Sequence, residues 1–152
     1  MLTYLLVFFA AAVPGIEILV AVPLGIVRGL PVPVAIILGF LGNASTIILE
    51  ILIFQRLKNW WENRKKSEVT KLSKRTVRAE NIWRRYGIPG LALLGPILIG
   101  SHLAAFLALA LGSSKKQTAV WLFISLAAWS IVFGTLTALG VDAFFWTQNK
   151  FQ

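Results

Sequence analysis

The chain contains no cysteine, only one histidine and few charged residues, which make up 14% of its 152 residues. Without cysteine there is no disulfide framework, thiol nucleophile or Cys-ligated metal, and a lone histidine excludes a His-based metal cluster within one chain. No Walker-type phosphate loop is present, so ATP hydrolysis by this chain is excluded as a driving force. Because no nucleophile–base pair can be assembled, we expect neither an enzyme nor a bound cofactor.

What the chain does have is apolar sequence and locally concentrated positive charge. Hydrophobic residues make up 57% of it and the mean hydropathy is +0.77. Soluble domains carry about 25% charged residues, so this composition predicts a multi-pass protein of the cell membrane. Eleven of the fifteen Lys and Arg residues lie in 56–85 with three Glu, which gives this stretch +8 of the net +9. The basic pI is therefore a local feature, and we expect no nucleic-acid partner.

Two long apolar runs predict membrane-spanning helices. Residues 32–55 contain one charge, Glu50, and are long enough to cross about 30 Å of hydrocarbon. A second run follows Lys116 and spans 117–146. We predict an all-α membrane protein with a single domain, 1–152. Its segments are a re-entrant segment, 1–31; a spanning helix, 32–55; a basic amphipathic cytoplasmic segment, 56–86; a second re-entrant segment, 87–114; and a second spanning helix, 117–146.

The basic segment has one apolar helical face, formed by Val69, Leu72, Thr76, Ala79, Trp83 and Tyr86. Trp60 and Trp61 add aromatic residues that favour the headgroup region. We expect this segment to lie on an anionic membrane surface, with membrane lipid as its partner. A solvated linker is the alternative.

Residues 87–114 lie between two basic segments, 56–85 and 115–116. Lys- and Arg-rich loops stay on the cytoplasmic side, so this run is expected to enter and leave by the same face. Its 28 residues are too few for two full spans of about 20 each, which favours a re-entrant hairpin broken at Gly95-Pro96 or near Gly100. One long tilted span is the alternative.

A weak repeat relates the two halves of the chain. Pro14, Gly15 and Gly25 match Pro89, Gly90 and Gly100, each 75 residues later. Paired Pro/Gly-interrupted apolar segments are typical of inverted-repeat transporters. We therefore predict two inverted repeats, each a re-entrant hairpin followed by a transmembrane helix, with both termini outside.

Polar residues inside apolar segments need a reason, because a carboxylate at the centre of a membrane helix costs about 2.5–3.5 kcal/mol. Glu17 is predicted to be a proton carrier or the counter-ion of Arg28, or else an interfacial residue. Asn43 is expected to line a cavity or to bond between helices, and His102 to relay protons or to be a packed residue. The predicted substrate or proton pathway comprises Glu17, Pro23, Gly25, Arg28, Asn43, Gly95, Pro96, Gly100 and His102.

A stripe of small residues runs along the last predicted span, within 127–141. Its members recur at helical spacing and are Ala127, Ser130, Gly134, Thr137, Ala138 and Val141. Such stripes allow close helix packing, either within one fold or across a homodimer. Both remain open at this stage.

The first-half pattern of Pro14, Glu17 and Val22-Pro23-Leu24 resembles the small multidrug export family, a relative of the DedA membrane proteins. The arginine expected two residues after the glutamate is replaced by Leu19, and the second-half equivalent is residues 90–112. The resemblance implies paired re-entrant repeats around a basic cytoplasmic loop. It also implies transport, because DedA relatives look like proton-coupled transporters or lipid-carrier flippases.

These observations predict a secondary transporter that moves a small amphiphile or a lipid-like anion at a site between the two hairpins. The resemblance implies that its transport is proton-coupled. An ion channel and a non-transporting scaffold or lipid-organising protein are the alternatives.

Overall fold

The computed structural model describes residues 1–65 and 74–150, and side chains within them for 1–54, 56 and 81–144. Within these ranges the ordered elements are all helical, which confirms the all-α prediction. In chain order they are α1 (Leu2–Ala12), α2 (Glu17–Val27), α3 (Val32–Lys65), α4 (Lys74–Leu98), α5 (Ser101–Ala110) and α6 (Lys115–Lys150).

Two of these helices are long and apolar enough to cross a membrane. Their apolar parts are Val32–Phe54 in α3, 23 residues, and Lys115–Phe144 in α6, 30 residues. At about 1.5 Å per residue both exceed the roughly 30 Å of a hydrocarbon core. Within the most apolar 18-residue stretch of each helix, 33% of the α3 residues and 28% of the α6 residues are buried inside the protein. Most of their apolar surface therefore requires a non-aqueous environment, as lipid provides.

The chain divides into two compact units. The first comprises 1–45 and 126–152, and the second comprises 46–125. The division passes through α3 and α6, so the first unit contains α1 and α2, the second contains α4 and α5, and each also contains one part of both long helices.

In the first unit, α1 packs against α2, and α2 also meets both long helices. The side chain of Val22 lies against Gly39 of α3 and close to Gly134 of α6. A Cβ atom at Gly134 would come within 2.6 Å of Ile36, so only glycine permits this approach. Ser130 is fully buried here as well. Part of the small-residue stripe is thus used for packing within the protein, while dimerisation through 127–141 stays a prediction.

In the second unit, α4 packs against α5. Gly87 has φ 64 and ψ −155 and divides α4 into two straight parts, 74–86 and 88–98. The turn between α4 and α5 is made by Ile99 and Gly100, whose amides both donate to the Gly95 carbonyl. The helix therefore continues through Gly95-Pro96 and ends at Leu98, so the predicted break at Gly95-Pro96 is wrong and the break near Gly100 is the one that occurs.

The ends of α2 and α5 have the same hydrogen-bond pattern, 83 residues apart. Around α2 the amides of Arg28, Gly29 and Leu30 donate to the carbonyls of Leu24, Ile26 and Gly25. Around α5 the amides of Leu111, Gly112 and Ser113 donate to those of Leu107, Leu109 and Ala108. Gly29 and Gly112 both have positive φ, 86 and 100, the left-handed conformation that commonly ends a helix.

The burial pattern follows the same offset of 83 residues. Buried positions of α2 are 17, 18, 21, 22, 25 and 26, and all but the first have a buried counterpart in α5, at 101, 104, 105, 108 and 109. The predicted offset of 75 is wrong, because it pairs residues of different conformation. Gly15 has φ 97 in a turn whereas Gly90 is helical, and Gly25 is helical whereas Gly100 has φ 96.

The predicted basic segment, 56–86, is divided differently in the structure. Its first part extends α3 to Lys65, and its last part is the beginning of α4. Val69 and Leu72 lie outside the described residues, and so do the side chains of Trp60 and Trp61 and of Thr76 and Ala79. Of the predicted apolar face, Trp83 is half-buried and Tyr86 is exposed, with the Arg85 guanidinium 5.5 Å from the Tyr86 ring centroid.

Candidate functional site

Glu17 is the first residue of α2 and is 2% exposed. Its φ is 51, which makes it the one non-glycine residue with positive φ among the described residues. Such backbone costs an L-residue about 1–2 kcal/mol, and the aligned peptide dipoles at a helix N-terminus favour negative charge. The carboxylate is therefore held inside the first unit, at the positive end of a short helix.

The position that corresponds to Glu17 in the second unit is Gly100, 83 residues later. Gly100 precedes α5 and has φ 96 and ψ 146, a conformation that is essentially restricted to glycine. Each short helix thus has a residue with positive φ at its beginning, Glu17 as the first residue of α2 and Gly100 directly before α5. One half fills that place with glycine and the other with a buried acid.

Asn43 is fully buried in the first unit, on the part of α3 that passes α1. The neighbouring Gly42 brings the two helices together, because a Cβ atom there would collide with the carbonyl oxygen of Phe8 and lie 3.1 Å from Ala11 Cβ. Close contact of this kind keeps water away from the Asn43 amide. Its burial agrees with either predicted role, a cavity-lining amide or an interhelical hydrogen bond.

Pro23 and Gly25 lie in the middle of α2. Pro23 has no amide proton, so it cannot donate to the carbonyl of Leu19 one turn before it. Gly25 is buried, and a Cβ atom there would come within 2.8 Å of Val7 in α1. Proline and glycine thus place an irregular, closely packed helix beside α1.

Arg28 lies at the opposite end of α2 from Glu17. It is the exposed C-cap residue, and the eleven residues of α2 separate the two by about 16 Å. No ion pair joins these two described side chains in the structure, so Arg28 is not the counter-ion of Glu17 and that prediction is wrong. The side chain belongs to the surface of the first unit.

His102 lies in the first turn of α5, in the second unit. Its Nε2 atom is 3.0 Å from Thr46 Oγ1 on α3, and its Nδ1 atom is 3.4 Å from the hydroxyl of Ser101. The tautomer decides which of these atoms donates. Phe106, one turn later on α5, meets Phe54 of α3 with ring centroids 5.5 Å apart. A polar contact and an aromatic contact therefore join α5 to α3.

The three other predicted residues of the second half also lie in the second unit. Gly95 is buried, and a Cβ atom there would come within 2.5 Å of Ala104 Cβ, so it permits the close contact of α4 with α5. Pro96 is buried inside α4, and Gly100 forms the turn. Together they shape the helix pair that presents His102.

The structure thus distributes the predicted residues over two units. Glu17, Pro23, Gly25, Arg28 and Asn43 belong to the first, and Gly95, Pro96, Gly100 and His102 to the second. Sequence reasoning missed Thr46, although the steps from Asn43 to Thr46 and to Glu50 follow one helical face. Within 1–65 and 74–150, no three His, Asp or Glu residues group closely enough to hold a metal ion.

Comparison with known proteins identifies the family. Neither the curated proteins nor the solved structures include a significant match to this chain. A family model described as "Putative small multi-drug export protein" matches residues 17–132, from Glu17 through most of α6. This match covers more than half of the chain and includes both α2 and α5. The chain therefore belongs to the small multi-drug export protein family.

Proposed function

We propose that this protein is a secondary transporter built from two halves of inverted topology. Each half comprises a pair of short helices, which enter and leave the membrane by one face, followed by a spanning helix. The recurrence of helix-end hydrogen bonds and buried positions after 83 residues supports this proposal. Inverted repeats with broken helices are a common transporter architecture, and the family description names export.

The observation that carries the proposal is the backbone of Glu17. A residue needed only to form the turn would be glycine, as Gly100 is in the other half. Glutamate adds about 1–2 kcal/mol of backbone strain and the desolvation of a carboxyl group. Strain that persists at a buried ionisable residue is typical of functional sites. We infer that Glu17 carries the coupling proton.

His102 is a titratable side chain of the second unit, and we propose that it takes part in proton transfer there together with Thr46. The substrate class is a small amphiphile or a lipid-like anion. Supporting this class, α5 begins at Ser101 without an acidic residue in its first turn, so its positive end is not neutralised locally. The proposal also includes three earlier predictions. These are location in the cell membrane, a homodimer and a relation to the DedA proteins.

Flux in proteoliposomes tests the proposal, with and without an imposed pH gradient. Wild-type protein is expected to move an anionic amphiphile faster when the gradient is present, and Glu17→Gln is expected to abolish this acceleration. Glu17→Gly is the informative second variant. Because Gly100 shows that glycine suits this backbone position, the variant should fold with an unfolding free energy about 1–2 kcal/mol higher while losing coupled flux.

Asp142→Asn provides a matched control, since Asp142 is an exposed carboxylate near the end of the α6 span. Its flux should equal that of wild type. Gradient-dependent flux that survives in Glu17→Gln would contradict the proton-carrier role. Flux of ions alone would indicate a channel, and complete absence of flux in wild type would indicate a scaffold.

A further inference from the structure

A groove in the first unit lies at the C-terminal ends of α2 and α6. Its volume is about 450 Å³, within the range of small-molecule sites. It is lined by Val27, Thr137, Gly140, Val141 and Phe144. Val27 and Phe144 are 68% and 60% exposed, so the groove is open to the surroundings of the protein.

Gly140 gives the groove its depth. A Cβ atom at this position would meet nothing within 4 Å, so the missing side chain is not needed for packing inside the protein. The space in front of Gly140 can therefore hold another molecule. Because the lining is almost entirely apolar, that molecule has an apolar part.

The depth of the groove in the membrane limits its occupant. Residues 137–144 form the last two turns of the apolar part of α6, Lys115–Phe144. The end of a spanning segment lies near the boundary between hydrocarbon and headgroups. A molecule bound here has its apolar part in hydrocarbon and its polar part within reach of the headgroup level, which is the build of a phospholipid.

Arg28 is the charged residue of the α2 end that is nearest in sequence to this groove. It directly follows Val27 and is exposed. Among the described residues its guanidinium has no acidic partner within ion-pair distance. A guanidinium matches two phosphate oxygens with two parallel N–H donors, which makes arginine well suited to phosphate. The nearby Asp142 lies about 150° around α6 from the groove, so it is not placed to receive the ammonium of a zwitterionic lipid.

We propose that this groove binds an anionic phospholipid, with one acyl chain against Gly140 and Phe144 and the phosphate on Arg28. The site is separate from Glu17, which is at the other end of α2, and it goes beyond the proposed transport function. The proposal gives Arg28 a role that suits its exposed position, whereas Arg28 does not pair with Glu17.

A site-specific fluorescence experiment tests this proposal, because the chain has no native cysteine. Val20→Cys carries the fluorophore, since Val20 is half exposed and lies two turns before Val27 on the same face of α2. The protein is reconstituted in phosphatidylcholine bilayers that contain a minor fraction of phosphatidylglycerol or phosphatidylcholine with brominated acyl chains. Brominated phosphatidylglycerol is expected to quench this label with about tenfold higher relative affinity, the size of effect that a charge-assisted phosphate contact gives.

Leu139→Cys is the matched control site, since Leu139 is exposed on the side of α6 that faces away from the groove. A label there should show no preference between the two lipids. Arg28→Leu should remove the preference at Val20, whereas Arg28→Lys should retain part of it. Leucine is chosen because Leu111 occupies the corresponding C-cap of α5, so folding is expected to be preserved. Gly140→Leu should weaken quenching by both lipids.

Three results would overturn the proposal. The first is an equal lipid preference at both label positions, and the second is an unchanged preference in Arg28→Leu. The third is relief of quenching by soluble glycerol phosphate, which would indicate a phosphate site without an acyl-chain groove. Contact between labels at Val20 on two copies, with no lipid quenching, would show that a second copy covers the groove.

Discussion

Glutamate and glycine occupy the same backbone position in the two halves of this chain. Glu17 is the first residue of α2 and Gly100 directly precedes α5, and both have positive φ, 51 and 96. Glycine is the residue of lowest conformational energy at such a position. Glutamate there brings a carboxyl group but raises the backbone conformational energy. The sequence marked Glu17 as an acid within an apolar segment. Its left-handed backbone could not be read from residue types, because it arises where the chain turns from α1 into α2.

The contact of His102 with Thr46 is the clearest polar contact between helices in the second unit. The two atoms are 3.0 Å apart, although the residues are 56 positions apart in the chain. A hydrogen bond of this kind contributes about 0.5–1.5 kcal/mol. Histidine drew attention as the single imidazole in the chain, while threonine, a common residue in membrane helices, did not.

A double-mutant cycle measures this contact. Thr46→Val removes the hydroxyl with little change of shape, and His102→Leu places the residue found at the corresponding Leu19. Each variant is expected to be destabilised, and the coupling energy should be about 1 kcal/mol. The measurement is reversible unfolding of the reconstituted protein. Effects that are additive within error would contradict a direct contact.

At the scale of the helices, glycines with positive φ end α2 and α5 and separate α4 from α5. Gly29 ends α2, Gly112 ends α5 and Gly100 separates α4 from α5. Pro96, by contrast, lies inside a helix. Proline removes one hydrogen bond, but tertiary packing can hold the helix together around it. This is why, of the two break positions that the sequence offered, only the one near Gly100 occurs.

Gly100→Ala tests the importance of this turn. Its conformation, φ 96 and ψ 146, is strained for alanine, and we expect a loss of about 1–3 kcal/mol in the free energy of unfolding. Gly140→Ala is the matched control. It introduces the same methyl group into a helix where nothing lies within 4 Å, so its stability should equal or slightly exceed that of wild type. Equal effects of the two substitutions would show that the turn is not strained.

At the scale of the whole molecule, charge and apolar length predict the orientation in the membrane. Basic residues are concentrated in 56–85 and at 115–116, and Arg28 is the single cation before them. The charge rule assigns both basic segments to the cytoplasmic side. Two spanning helices then leave Arg28 and both termini outside.

Single cysteines test this orientation in a chain that has none of its own. Arg56→Cys and Lys116→Cys, both at exposed positions, are expected to be shielded from an impermeant thiol reagent in intact cells. Arg28→Cys, also exposed, should be labelled from outside. Disruption of the cells should expose the two shielded cysteines and serves as the control. Labelling of position 116 from outside would eliminate the second re-entrant segment and, with it, the inverted repeat.

The amino-acid sequence alone determined the class of this protein. Long apolar runs, clustered basic charge and the absence of cysteine predict an all-α membrane protein, because these properties depend on composition and on helical periodicity. The family follows from the same residues. Tertiary structure decided what depends on close contacts between distant residues. It separated Arg28 from Glu17, joined His102 to Thr46, and made the helix-end hydrogen bonds recur after 83 residues rather than 75. The conformation of a turn and the approach of two helices depend on packing, which residue order does not show.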